Sequence, residues 1–285
     1  MPIIYLNGQF LPRAEATLSI DDRGFIFGDG VYEVTRVVGG ELFESSRHLS
    51  RLGRGLADLR LTPVESLSEI EEIARRLITE NGLSEGEGTV YLQITRGAAP
   101  RTHHFPPLGT RCTVFMSAAP FAVPHDKRAV GVAVVTYPDI RWSRCDIKTV
   151  NLIPAVLAKQ HAVDHGVFES IFVRGSAITE GSHTNCFGVL DGELRTYPAS
   201  NYILGGVTRD VVIELAQALG IPFVDRPFHL ADVPRLEEFF LTGTTTDVMP
   251  VVEIDAKPVG DGRPGPVTMR LYEAIAARLY RTRVT

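Results

Sequence analysis

Apolar runs at residues 3 to 6 and 9 to 12 flank Asn7-Gly8, a dipeptide suited to a two-residue turn, and predict an opening β-hairpin. Apolar positions then recur at helical spacing over 47 to 60 and again over 67 to 81, the second stretch stopping near Asn81-Gly82. Alternation at 90 to 95 and 113 to 117 predicts two more strands, completing a small sheet on those helices. The segment Ala118 to Pro124 holds two prolines and no helical period, which marks a junction. The chain therefore reads as a small α+β domain over 1–118, a linker over 119–124 and a larger domain over 125–285.

Beyond the junction, short strands are expected at 130–136, 168–173, 184–190, 194–197, 222–225, 237–242 and 248–254. Three helices interrupt them. One follows Lys148, with Pro154 in its opening turn, where backbone N–H groups lack partners, and Gly166 at its close. Another runs from Thr208 as N-cap to Gly220, and a third covers 265–282. Strand and helix do not alternate regularly, so the pattern predicts a barrel-like or mixed α+β body rather than a doubly wound one.

Composition narrows the partners. The 285 residues carry a formal charge of -5, with acids and bases interspersed, so no basic stripe offers a footprint for nucleic acid or an anionic membrane. No apolar run approaches ~18 residues, and Met1 to Gly8 lack a basic region followed by a long apolar core; the expected location is the cytoplasm. Cys112, Cys145 and Cys186 are widely spaced, with no CxxC pair, which argues for reduced packing residues and no metal site.

Of the four lysines, Lys148 alone lies between apolar residues in an extended run, Asp146 to Ile153, that leads into a helix. An amine there costs desolvation unless it is used covalently, as a Schiff-base lysine is; the commoner alternative is a lysine that snorkels to water or pairs with Asp146. Gly205-Gly206-Val207-Thr208 before a helix and Thr244-Thr245-Thr246 after a strand each suit an anion, although each also reads as an ordinary turn. Arg96, Arg101, His103 and His104 share a loop that could clamp a carboxylate or simply be solvated. Tyr32 enters a strand from a glycine-rich loop, and Glu180 sits at a corner between two strands.

Seven ordered blocks, RGFIFGDGVYEV (23–34), HLSRL (48–52), TRGAAPRTHHF (95–105), RWSRCDIKTVNL (141–152), TEGSHTNCF (179–187), GGVTRDVV (205–212) and TGTTTDVMPV (242–251), together resemble the fold type IV pyridoxal-phosphate enzymes. Within these the D-amino-acid aminotransferases are most similar, and the likeness spans nearly the whole chain. It implies a two-domain α+β fold, the larger C-terminal domain barrel-like and cofactor-binding. The implied reaction is ping-pong transamination of D-amino acids, of the D-alanine and 2-oxoglutarate type, with pyridoxal 5′-phosphate as cofactor. The resemblance further implies that Lys148 holds the cofactor as a Schiff base and that Glu180 faces the pyridine nitrogen. It assigns the phosphate to Arg51, Val207, Thr208, Thr244 and Thr245, with Leu204 also at the cofactor. Tyr32, Arg101 and His103 become the carboxylate trap, the latter two from the partner subunit of a homodimer. Branched-chain L-amino-acid aminotransferases, (R)-amine transaminases and aminodeoxychorismate lyases are the enzymatic alternatives, and a vitamin-B6 carrier the non-enzymatic one. His183, Pro154 and Gly243 depart from the family pattern, and His183 is the departure able to alter the pocket.

Overall fold

The computed structural model describes residues 1–280, which form two compact units. Among the described residues, unit 1 comprises Met1–Ala122 with Ile147–Asn151, and unit 2 comprises Val123–Asp146 with residues 152–280. The expected last helix therefore extends past the described residues at 281 and 282. No helix among the described residues is long and apolar enough to cross a membrane.

Unit 1 opens with the expected hairpin, β1 (Ile3–Leu6) and β2 (Gln9–Pro12), with Asn7 and Gly8 both at positive φ as this turn demands. Where a loop was expected at 22 to 29, one helical turn forms, α1 (Arg23–Phe27). Asp22 accepts from the Gly24 amide to start it, and Gly28, left-handed at φ 66°, ends it. A five-residue turn is too short to leave a periodic signal. Next come β3 (Gly30–Val38), β4 (Glu41–Leu42), α2 (Ser45–Asp58), α3 (Leu67–Glu80), β5 (Glu87–Thr95) and β6 (Thr113–Pro120). The Ser66 capping box with Glu69 fixes the start of α3. The six strands lie in the order β2-β1-β6-β5-β3-β4, with β3 paired to β5 over its whole length. Val31, Leu52, Leu56, Ile70, Leu77, Leu92 and Met116 are among the side chains that fill the core between this sheet and the two helices.

Unit 2 begins with α4 (His125–Val130) and β7 (Val132–Pro138). The strand expected from residue 130 thus starts later. Gly131 has φ 81°, and a Cβ there would stand 2.3 Å from Val252 Cγ1, so the backbone breaks between helix and strand. Then follow α5 (Ile153–Asp164), β8 (Glu169–Arg174), β9 (Ala177–Gly181), β10 (Asn185–Leu190), β11 (Glu193–Thr196), α6 (Val207–Ala218), β12 (Phe223–Val224), β13 (Glu238–Gly243), β14 (Asp247–Ile254), β15 (Lys257–Pro258) and α7 (Pro266–Tyr280). Gly206 is the N-cap of α6, so Thr208 lies inside its first turn rather than ahead of it. Glu238 accepts from the amides of Val267 and Thr268 and from the Thr268 hydroxyl, which satisfies the start of α7.

The sheet runs β12-β11-β10-β13-β14-β7-β8-β9, with β15 on β14. Strand β9 also pairs with β10 through Glu180 and Asn185, so the six strands from β10 to β9 close on themselves. The barrel-like α+β body expected from the pattern is what forms. Phe187 and Phe240, paired across β10 and β13, stack with ring centroids 5.0 Å apart. Cys112, Cys145 and Cys186 are all free and buried.

Gly97 and Gly82 separate two costs of replacing glycine. Both have positive φ, at 84° and 69°, but a Cβ on Gly97 would lie 1.9 Å from the Arg111 carbonyl oxygen, whereas one on Gly82 would meet nothing within 4 Å. Gly82→Ala should cost roughly 1–2 kcal/mol from the left-handed backbone alone. Gly97→Ala should cost about 1–3 kcal/mol more, because the neighbouring backbone must move. Denaturant unfolding of both variants checks this; equal losses would refute it.

Candidate active site

Lys148 belongs with unit 1. The extended run expected there is not a ladder strand: one bridge joins Thr149 to Val31, with hydrogen bonds from the Tyr32 amide to the Lys148 carbonyl (3.0 Å) and from the Val150 amide to Gly30 (3.1 Å). Burial alternates, with Ile147 and Thr149 inside and Lys148 half-buried. Its Nζ stands 4.2 Å from the centroid of the Tyr32 ring, which in turn stacks on Tyr91. Asp146 is engaged by Arg144 at 3.0 Å, and Lys148 has no carboxylate partner among the described residues. The simple salt-bridge reading of Lys148 therefore does not hold. Lys159 on α5 donates to the Phe168 carbonyl.

Adjacent to Tyr32 on β3, Glu33 points to the opposite face and is buried. Arg51 on α2 meets it with two parallel bonds of 2.7 Å, and His48, one turn earlier, adds a third contact of 2.9 Å. Burial would raise the Glu33 carboxyl, but Arg51 and His48 outweigh it and hold it down at about 2. Burial also lowers His48. The Nε and Nη2 edge of Arg51 is thus committed to Glu33. Nothing in the sequence pattern singled out Glu33 or His48, since strand and helix must pack before they meet.

Arg101 and His103 are both exposed and both gather on Phe27 of α1: the Arg101 guanidinium lies 5.3 Å from that ring centroid and the His103 ring 5.7 Å away. The loop beneath them is pinned. Arg23 donates to the Thr102 carbonyl at 2.7 Å and pairs with Asp29, which also takes Arg96 at 2.8 Å, and Arg96 lies 3.8 Å from the Phe105 ring centroid. Arg101 has no carboxylate partner among the described residues. Arg96, grouped with it in sequence, is a scaffold residue.

In unit 2, Glu180 lies near the end of β9 and is buried. Asn185 Nδ2 donates to Oε2 at 2.9 Å, the Leu204 amide reaches Oε1 at 3.2 Å and Oε2 at 3.1 Å, and Arg141 Nη1 donates to Oε1. Burial pushes this carboxyl up to about 7, against the downward pull of Arg141. Leu204 therefore meets Glu180 through its backbone.

The two candidate anion elements are tied to the same place. Asn185 also donates to the Leu204 carbonyl at 2.9 Å, and a Cβ on Gly206 would lie 2.0 Å from Asn185 Oδ1, so only glycine fits. Asn185 is register-paired with Thr242, whose strand opens the turn Gly243 to Thr246. The hydroxyls of Thr208, Thr244 and Thr245 have no partner among the described residues, and no side chain caps α6. Unused donors at a twelve-residue helix start and a threonine turn fit a phosphate. The half-exposed His183 is held by the fully buried Glu169 at 2.6 Å, as is Ser182.

Comparison with known proteins gives the family. The family model for class IV amino-transferases matches residues 30–254. D-alanine aminotransferase of Staphylococcus aureus (strain COL) is 40% identical over 273 residues, covering 96% of each chain. That of Listeria monocytogenes serotype 1/2a (strain 10403S) is 37% identical over 280 residues, covering 98% of this chain and 96% of its own. Among solved structures, branched-chain amino acid aminotransferase of Escherichia coli superposes with a TM-score of 0.88 at 26% identity, covering 96% of this chain and 93% of its own. The T.th. branched-chain amino acid aminotransferase, complexed with N-(5′-phosphopyridoxyl)-L-glutamate, superposes at 0.86 and 27% identity, covering 97% and 93%. A match that runs from the start of β3 to the end of β14, with relatives alike over nearly the full length, leaves one assignment: the chain belongs to the class IV amino-transferases.

Proposed function

We propose that this chain is a pyridoxal-phosphate-dependent aminotransferase acting on D-amino acids, of the D-alanine and 2-oxo acid type. The observation that carries the substrate choice is the pair Arg101 and His103, exposed side by side on Phe27 with no carboxylate of their own among the described residues. An arginine fork and an imidazole so placed suit the carboxylate of an amino acid. The D-alanine aminotransferases, 37–40% identical over nearly the whole chain, support the same choice over the branched-chain enzymes at 26–27%.

Lys148 is the covalent anchor, half-buried beside Tyr32 with no carboxylate among the described residues to tie up its amine. Bound there, pyridoxal 5′-phosphate supplies an electron sink for the pair left on Cα when its proton is removed. Lys148 Nζ, once free as an amine, would take that proton from Cα and carry it to the neighbouring carbon. Glu180, buried, would face the ring nitrogen and, when ionised, would favour a positive charge on it. Val207, Thr208, Thr244 and Thr245 would hold the phosphate with hydroxyls and backbone amides, and Leu204 lies beside Glu180. Arg51, oriented by Glu33, adds a guanidinium to the phosphate. Tyr32 contributes its hydroxyl to the substrate carboxylate.

A homodimer completes the proposal, with Arg101 and His103 serving the partner subunit. Ile153, Val156, Leu157 and Val163 leave an apolar face exposed on α5, which a second copy would cover.

The absorption spectrum of the cofactor-loaded protein tests the reading: D-alanine should bleach the visible band, while bleaching by L-leucine alone would move the chain to the branched-chain group. Lys148→Ala should lower transamination by about 10²–10⁴-fold or more with an unchanged circular dichroism spectrum. Arg101→Ala should raise KM for D-alanine about 10–100-fold with kcat nearly unchanged, since it removes a charge-assisted contact made in both ground and transition states. A fall in kcat at constant KM would contradict that role.

A further inference from the structure

Arg141 has no role in the chemistry assigned above, yet it is bound on every side. Asp139, whose carboxylate is fully buried, takes Nε at 2.9 Å and Nη2 at 3.0 Å. Nη1 donates to Glu180, Nη2 reaches the Tyr202 carbonyl at 3.2 Å, and the guanidinium lies 4.2 Å from the centroid of the Phe172 ring. Arg174 reaches Asp139 Oδ2, the oxygen that also accepts from Arg141 Nη2, at 3.1 Å, and the Thr179 hydroxyl approaches it too. Charges therefore alternate along a line from Arg174 through Asp139 and Arg141 to Glu180.

We propose that Arg141, clamped by Asp139, is a positioning residue that keeps Glu180 ionised and fixes where its carboxylate points. The proposal rests on the ring-nitrogen role of Glu180 given above. A carboxyl this deeply buried is neutral by default, because the charged form loses its hydration. Asn185 and the Leu204 amide offer dipoles, and Arg141 is the cation that touches Glu180 among the described residues of unit 2. The other groups facing Glu180 supply no positive charge. Asp139 is negative, its carboxyl held low by Arg141 and Arg174 in spite of burial. The Cys145 thiol on the preceding loop is pushed up to about 11 by burial, and burial raises the Cys186 thiol of β10 as well, so both stay neutral. Arg141 cannot give up its proton, because Asp139 and Glu180 outweigh the burial that disfavours its charge. Asp139 fixes the guanidinium plane with two bonds, so the remaining Nη1 is aimed rather than free to swing.

Glu180 sits at about 7 with Arg141 pulling it down, so its carboxylate form grows as pH rises through that value. Without Arg141 the same titration moves to higher pH, by about 1–3 units for the loss of one adjacent opposite charge.

Three variants decide it: Arg141→Met, Arg141→Lys and Glu180→Gln. In the cofactor-loaded enzyme, Arg141→Met should lower kcat at pH 7 by about 5–500-fold with KM little changed, and activity should recover as pH is raised. Arg141→Lys, which keeps the charge but not the fork, should fall between it and wild type. The second readout needs no turnover. Infrared titration of the full chain carrying isotopically labelled glutamate carboxyls, with Glu180→Gln as the blank, should show the Glu180 band titrating at higher pH in Arg141→Met. Where Arg141→Met does not fold, Arg141→Lys carries the same comparison with a smaller shift. An unmoved infrared midpoint, or an activity loss uniform across pH, overturns the proposal. Glu180→Gln with undiminished kcat would instead overturn the ring-nitrogen role and leave the infrared result to judge Arg141 alone.

Discussion

Glu180 and Asn185 form the one backbone pair that joins β9 to β10 and closes the barrel of unit 2. Closure removes the sheet edges that would otherwise seek partners, but it also drives a carboxylate into a place without water. Much of the surrounding structure answers that difficulty. Asn185 turns its amide onto Glu180 and onto the Leu204 carbonyl, the Leu204 amide turns back onto Glu180, and Gly206 keeps the space that Asn185 occupies. Asp139 and Arg141 complete the shell with charge. The start of α6 and the Gly243 to Thr246 turn are positioned because they attach to this seam.

Unit 1 solves the same physical problem independently. Glu33 is as buried as Glu180, and its partners are Arg51 and His48 from one face of α2. The outcomes differ because Arg51 meets Glu33 with two parallel bonds and His48 adds a third, whereas Glu180 receives one guanidinium nitrogen. One carboxyl is held near 2 and the other near 7. A carboxyl near 2 is a fixed scaffold charge, while one near 7 responds to whatever cation sits beside it. The same residue type thus serves two purposes, set by the charge and geometry of its donors rather than by their number.

The chain handles its arginines accordingly. With 25 arginines and 4 lysines, it places guanidinium groups at the buried or largely buried pairs of Arg23, Arg36, Arg51, Arg96 and Arg128. A planar fork can satisfy a carboxylate and a carbonyl together, as Arg96 does with Asp29 and Leu59, where an ammonium could not be oriented as firmly. Lys148 is a half-buried amine with neither a carboxylate nor a carbonyl partner among the described residues, whereas the half-buried Lys159 donates to the Phe168 carbonyl.

The amino-acid sequence by itself determined the hairpin at Asn7-Gly8, helices α2, α3 and α5, most strands of the barrel and the family, because these depend on local periodicity, turn chemistry and ordered motifs. It also pointed to Lys148 directly through its setting, and to Glu180 and the threonines at 208, 244 and 245 through the resemblance of the ordered motifs rather than through their local settings. It did not disclose α1 or α4, which are too short to show a period, nor the break at Gly131 forced by Val252 from a distant strand. The roles of Glu33, His48, Asp139, Arg141 and Asn185 were hidden for a deeper reason. Each of them acts by meeting a charge or amide on another element, and which meetings occur depends on how strands close and helices pack. Tertiary structure alone decided which carboxylates would be dehydrated and which cations would stand beside them, because desolvation and Coulomb energy are set by distance in space, not by separation along the chain.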